Sequence, residues 1–345
     1  VIYWYIFSLL SILSFIGNKN IENFFLLIFL IVYIFFIGFR LEIGADWGDY
    51  VAMFHEIKHN INHTDVGYEI LNIVGDKLFD YNGIFFVNTV CGIIITTCMY
   101  FVINEFKHPL ISLLILFYYV VTIAMGYSRQ GVAIAISMVA IYHALKFRYI
   151  KFVLFILFAM TFHKSVAFLF MLFPYLLLTK IKFTKTTFFV YTLFFVLLLA
   201  SYQKIISYIP NDYLEKTYDS KGAFFRIAVH VPPIFIYFWL KSRFKFKFLN
   251  LNYKILDFMA FSIIFMSPFS ILFSTLIDRL ILYFIIFDLI IFNLFLDCLN
   301  KRSQVIFKIF LIVENFILFY VWYSYSFYAI NYWTPYRNYF LEILF

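Results

Sequence analysis

Long apolar runs almost free of charge, separated by short charged connections, recur through this 345-residue chain and constrain its fold more than any other feature. Residues 22–39 and 84–104 are two of them. A helix of roughly 20 apolar residues spans the hydrocarbon core of a bilayer, where only helices and closed barrels satisfy their own backbone. With 64% hydrophobic and 13% charged residues, and 51 Phe and 28 Tyr, a soluble core of this size could not hide the apolar surface. Lipid must be the solvent for most of it. The expectation is an all-α polytopic integral membrane protein with about 11–12 membrane segments, built as a single transmembrane domain over residues 1–345.

The segments are placed at 1–16, 22–39, 84–104, 109–126, 129–145, 152–162, 165–179, 187–207, 227–240, 255–277, 280–298 and 305–324. Residues 1–16 have no basic leader and no small-residue cleavage site, and another span follows at once, so they read as a retained first helix. Cys91, Cys98 and Cys298 show neither a disulfide framework nor a metal spacing and read as packing residues. There is no visible internal repeat.

The formal charge of +8 would suggest nucleic acid in a soluble protein. Here the basic residues sit in short connections, where they set orientation, and no nucleic acid is expected. The connections 146–151, 180–185, 241–254 and 301–308 carry Lys146, Arg148, Lys151, Lys180, Lys182, Lys185, Lys241, Arg243, Lys245, Lys247, Lys254, Lys301, Arg302 and Lys308, and should be cytoplasmic. The loop 40–82 carries Glu42, Asp46, Asp49, Glu56, Asp65, Glu69, Asp76 and Asp80 against Arg40, Lys58 and Lys77, and should lie outside. The Tyr- and Trp-rich stretch 325–345 fits an interfacial belt on that outer side. A single crossing over 152–179 would bury His163 and Lys164 and put a basic connection outside. The sign rule therefore predicts two short segments, re-entrant or strongly tilted, turning at Thr161–Ser165.

On this topology Arg40, Asp46, Asp49, Arg129, His163, Arg226, Asp278, Arg279 and Arg337 all fall at the outer face. Charged residues at helix ends in water would be the ordinary reading of each alone. Several arginines on the leaflet opposite the basic connections point further. Arg129, Arg226 and Arg279 each open a predicted helix, where a guanidinium adds to the positive end of the helix dipole and reinforces an anion site. Guanidinium groups match phosphate oxygens in pairs, so several could hold a diphosphate without a metal; no metal and no cofactor is expected. In Arg40-Leu41-Glu42-Ile43-Gly44-Ala45-Asp46-Trp47-Gly48-Asp49-Tyr50, Trp47 and Tyr50 suit stacking on sugar rings, and Asp46 beside them can take a proton from a hydroxyl. An interfacial Trp with two capping aspartates is the bland alternative. His163 is the other candidate base, with a structural His in the turn as its alternative. His55, His59 and His63 recur at a helical spacing, but the polar residues among them favour a solvated loop face over a metal site.

Arg40 with Gly44-x-Asp46-Trp47-x-x-Tyr50, then Gly67-Tyr68-Glu69, Ser128-Arg129-Gln130 with Ala133 and Ala135, Phe162-His163-Lys164-Ser165, Asp278-Arg279 with Tyr283, and Trp333-x-Pro335-Tyr336 resemble, in that order, the EpsG-like branch of the Wzy polysaccharide polymerases. Each motif alone is weak; the ordered set over most of the chain is fairly specific. The resemblance implies a multi-pass enzyme of the bacterial inner membrane with an architecture like the GT-C membrane glycosyltransferases and an active site on the outer face. It would join undecaprenyl-diphosphate-linked oligosaccharide units into O-antigen, capsule or exopolysaccharide. Arg40, Arg129, Gln130, Arg226 and Arg279 would then hold diphosphate, Asp46 or His163 would assist the attacking hydroxyl, and Trp47, Tyr50, Trp333 and Tyr336 would line the glycan path. Membrane lipid, a chain-length regulator and a flippase are the other partners it implies. A lipid-linked oligosaccharide flippase or an O-antigen ligase remains the alternative. A flippase should show duplicated halves and charges near the midplane, whereas here the charges gather at one face.

Overall fold

The computed structural model describes residues 2–58, 65–178, 222–244, 251–271 and 273–344. The expected span 187–207, the basic connection 180–185, and His59 and His63 lie outside the described residues. Among the described residues there is no β-strand; the protein is an all-α polytopic membrane protein. Six described helices are long and apolar enough to cross a membrane: Lys19–Gly38, Val66–Ile103, Ala223–Arg243, Tyr253–Ile271, Ser274–Cys298 and Lys301–Tyr325. Shorter apolar helices cover Ile2–Leu13, Tyr149–Met160 and Lys164–Leu177.

The chain divides into two compact units, Val1–Ala167 with Asp288–Phe345, and Phe168–Phe287. The first contains α1 (Ile2–Leu13), α2 (Lys19–Gly38), α3 (Trp47–Lys58), α4 (Val66–Phe79), α5 (Gly83–Ile103), α6 (Pro109–Ile115), the single turn α7 (Phe117–Tyr119), α8 (Ser128–Leu145) and α9 (Tyr149–Met160). Asn18 starts α2 by accepting from the backbone N–H groups of Asn20 and Ile21. Along α2, Leu26, Phe29, Leu30, Tyr33 and Ile37 face inward, while Phe24, Leu27, Ile28, Ile31 and Phe35 stay exposed. That division is what a helix between protein and lipid requires. The inward face packs on α5. Gly38 lies so close to α5 that an added Cβ would come within 2.4 Å of Thr89 Oγ1, so only a glycine lets the helices approach there.

Helix α8 packs between α5 and α9 and is buried on every side from Gln130 to Leu145. The stretch before it, expected as one span over 109–126, is a broken helix: α6, then α7, then a π-turn over Val120–Ala124, with nearly every side chain buried. The loop expected over 40–82 is largely helical, with α3 and α4 packed on each other and α4 also packed on α5. Phe54, Ile57 and Tyr68 are buried, whereas Val66, Ile70, Leu78 and Phe79 of α4 stay exposed. The predicted break within 152–179 is present: α9 ends at Met160, and a tight 3-10 helix starts at Lys164.

In the second unit, α10 (Leu172–Leu178) packs on α13 (Tyr253–Met266), and α11 (Ala223–Val229) precedes α12 (Val231–Phe244). Asp257 of α13 accepts from Tyr237 at 2.6 Å and pairs with Lys241, tying α12 to α13. The boundary expected between spans 255–277 and 280–298 falls earlier. A 3-10 turn over Ser267–Ile271 closes the first, and α14 (Ser274–Ile281) opens the next with two hydroxyl residues, continuing into α15 (Ile285–Cys298). From Asp288 within α15 the chain is again in the first unit, where α16 (Lys301–Tyr325), α17 (Phe327–Tyr332) and α18 (Tyr339–Leu344) follow. Asn300 caps α16 by accepting from Ser303 N–H.

Candidate functional site

Where α2 ends, the chain must turn without leaving its last carbonyl groups unmet. Arg40 solves this from inside. Its side chain is 0% exposed; Nη1 donates to Ile37 O at 2.9 Å, Nε to Ile43 O at 3.1 Å and Nη2 to Ser128 Oγ at 2.7 Å. The guanidinium thus ties the end of α2 and the following loop to the first residue of α8. Its Cζ lies 5.7 Å from the centre of the Trp47 ring, a cation–π contact. Expected among the diphosphate ligands, Arg40 instead has each of its nitrogens committed within the protein and lies beneath the site surface.

A strap from the far end of the sequence closes over this loop. Leu41 N–H donates to Arg337 O at 3.1 Å, Gly44 N–H to Tyr332 O at 3.0 Å, and Tyr339 N–H to Phe39 O at 2.8 Å, with Arg40 and Asn338 forming an antiparallel bridge. Arg337 also pairs with Glu42 and Glu342. Gly44 has a φ of 105°, and a Cβ there would meet Met125 O at 2.9 Å; the turn that delivers Asp46 therefore depends on glycine. Trp333 and Tyr336 belong to the strap. The Trp333 side chain is 2% exposed, donates from Nε1 to Val121 O at 2.8 Å and covers Gly126. Tyr336 donates to Phe36 O at 3.2 Å and stacks on the Phe36 ring at 4.6 Å. Both were expected along the glycan path; packing against the protein occupies the Trp333 ring and one face of Tyr336.

Asp46 sits half-buried just before α3, and its carbonyl accepts the helix bond from Tyr50 N–H at 3.0 Å. Tyr50, one turn on, is buried against Tyr68 of α4, their ring centres 5.7 Å apart. Arg129, the second residue of α8, places its Cζ 5.9 Å from each of these two rings. Its Nη1 lies 3.4 Å from Asp65 Oδ2, and its backbone N–H points at the Tyr50 hydroxyl at 3.5 Å. Burial pushes the Tyr50 hydroxyl up, so it is a neutral donor at physiological pH.

The turn after α9 completes the cluster. Gly67 N–H donates to Thr161 O at 2.8 Å, fixing the turn beside the start of α4. There, Lys164 acts electrostatically on Asp65. His163 Nδ1 accepts from Ser165 N–H at 3.3 Å and lies 2.8 Å from Ser165 Oγ. With Nδ1 accepting, the neutral ring carries its proton on Nε2 and offers a donor there. Gln130, also expected at the diphosphate, is 2% exposed within the bundle.

Asp46, Tyr50, Arg129 and the His163 turn are therefore gathered in one unit. Asp65, Tyr68, Lys164 and Ser128 join them, and their part could not be assigned from spacing. In the second unit, Arg226 donates to Asp278 at 2.5 Å, the two side chains 12% and 8% exposed. Arg226 is the fourth residue of α11, and the next residue after Asp278, Arg279, is half-buried. The expectation that three arginines open helices holds for Arg129 at the start of α8. It fails for Arg279, which lies five residues past the first residue of α14 because the helix starts at Ser274.

The sequence model of the EpsG family matches residues 2–338. No curated protein and no solved structure matches the chain.

Proposed function

The chain belongs to the EpsG family, which supports a polysaccharide-polymerase-like role, and from that premise we propose that it joins undecaprenyl-diphosphate-linked oligosaccharide units at the outer face of a bacterial inner membrane. The observation that carries this reading is Arg129 at the start of α8, flanked by the rings of Tyr50 and Tyr68, with Asp46 one helical turn before Tyr50. The first N–H groups of a long helix and a guanidinium at its second position favour a phosphate group. Sidedness follows from the acidic residues of 40–82 against the basic connections 146–151 and 301–308.

In the reaction, a terminal sugar hydroxyl of the incoming unit attacks the anomeric carbon of the growing chain's reducing-end sugar. The new C–O bond forms as the bond to undecaprenyl diphosphate breaks, and the diphosphate departs with the electron pair. Arg129 neutralises the charge it gains, a contribution of a few kcal/mol. Asp46 takes the hydroxyl proton. His163, holding its Nδ1 as an acceptor, serves as an Nε2 donor rather than as the base. Arg40 positions Arg129 through Ser128, Gln130 seats α8 in the bundle, Trp47 forms the sugar-facing wall, and the buried Tyr50 ring supports Arg129. In the second unit, Arg226 is held by Asp278.

The test is the surface polysaccharide of a strain deleted for the gene and complemented with variants. Single units on the carrier or core after deletion, and a ladder restored by wild type but not by Asp46→Asn or Arg129→Ala, are expected. Full ladders after deletion would exclude polymerisation, and loss even of single units from the outer face would favour the flippase or ligase.

A further inference from the structure

The arginine site contains an anion of its own. Asp65 stands at the N-cap position of α4, where an aspartate ordinarily accepts from the first helical N–H groups, yet its side chain makes no cap bond. Its carboxylate is directed to Arg129 instead, 3.4 Å from Nη1. That contact is loose: a well-fitted guanidinium–carboxylate pair closes to about 2.8 Å. The Asp65 side chain is 10% exposed and that of Arg129 28%. Lys164 acts on the same carboxylate from the turn after α9. Two cations thus act on one carboxylate that gives up a helix cap to be there. Burial pushes the Asp65 carboxyl up despite both cations, so its charge is held at a cost in desolvation.

We infer that Asp65 is a positioning residue that stands in for a phosphate oxygen: it holds Arg129 between Tyr50 and Tyr68 until a diphosphate displaces it, and so competes with that ligand. The inference rests on the reading of Arg129 as a diphosphate-binding residue. A merely structural Asp65 would lower affinity when removed; a competitor raises it.

The experiment measures binding of inorganic pyrophosphate to the purified full-length chain in detergent, at low salt, by titration calorimetry. Asp65→Asn removes the charge at constant shape, and Asp65→Ser removes it while supplying a hydroxyl able to cap α4, in case the amide disturbs folding. Both should bind roughly five to ten times more tightly than wild type, about 1 kcal/mol or slightly more. Asp65→Glu should resemble wild type, and Arg129→Ala should bind more weakly. Equal or weaker binding by both neutral variants, with unchanged melting temperature, overturns the competitor role while leaving Arg129 in place. Unchanged binding by Arg129→Ala overturns the reading of Arg129 itself, and the inference with it.

Discussion

Replacing Ser128 by Ala removes one oxygen and no charge, and it tests whether Arg40 acts through α8 or on the ligand. Ser128 is 0% exposed and its Oγ accepts from Arg40 Nη2 at 2.7 Å. A buried hydrogen bond to a charged group is worth about 1.5–3 kcal/mol, and the group left behind cannot turn to water. Arg40 keeps Ile37 O and Ile43 O, so the loss should lie near the lower end, about 1.5–2 kcal/mol. Because Ser128 directly precedes Arg129, part of that loss should appear in glycan transfer, as a ladder shortened with normal membrane expression. The assay pairs a melting curve in detergent with a polysaccharide gel for Ser128→Ala, Arg40→Lys and the double variant. Lysine keeps the charge but cannot span three acceptors with a planar fork. If Arg40 works through Ser128, the effects of the single changes are strongly non-additive. A silent Ser128→Ala alongside a severe Arg40→Lys would refute the reasoning and return Arg40 to direct ligand contact.

Other changes separate site from scaffold. Tyr68→Leu should keep the chain folded but loosen Arg129, lowering transfer several-fold, whereas Tyr68→Phe, which retains the ring, should lower it little; single-turnover transfer to a lipid-linked acceptor distinguishes them. Trp333→Phe loses the N–H donated to Val121 O and should cost about 1–3 kcal/mol in melting experiments while leaving the relative use of different repeat units unchanged; altered selectivity would place Trp333 on the glycan path. His108, in the connection before α6, has its pKa lowered from 6.5 to about 4 by burial, with Lys308 and Lys107 acting in the same direction and Asp297 against them. The unfolded chain therefore binds the proton first, and stability falls as pH drops through the window from 6.5 to about 4. Partial exposure reduces this to about 1 kcal/mol, which His108→Gln should remove from the pH dependence of the melting temperature.

Hydropathy alone placed α2 and α5 to within a few residues, since each is an uninterrupted apolar run with polar ends. It missed the break between α6 and α8, because a π-turn made of Val, Thr, Ile and Ala has the hydropathy of a regular helix. It also read 40–82 as an outer loop, because Asp49, His55, Glu56, Glu69 and Asp76 interrupt the short apolar runs of α3 and α4. At the site, Arg40 and Arg129 look alike in sequence, each beside the end of a span. Only tertiary structure shows that one is enclosed by Ile37, Ile43 and Ser128 while the other keeps a partly open face. Asp65 and Arg129 are 64 positions apart, and no local spacing connects them. The break at Thr161–Ser165 was legible because charge placement, a global property of the chain, left only one consistent path.

The strap has a consequence for how the protein is made. Glu42 and its partner Arg337 are separated by 295 positions, and the loop holding Asp46 is pinned by Tyr332, Arg337 and Tyr339. A chain emerging from the ribosome inserts α1 and α2 and exposes that loop long before these residues exist. The edge of the site is therefore left open until residues 332–339 have been made, so a polypeptide stalled or cut before residue 332 carries Asp46, Arg129 and His163 but cannot hold the loop that presents Asp46.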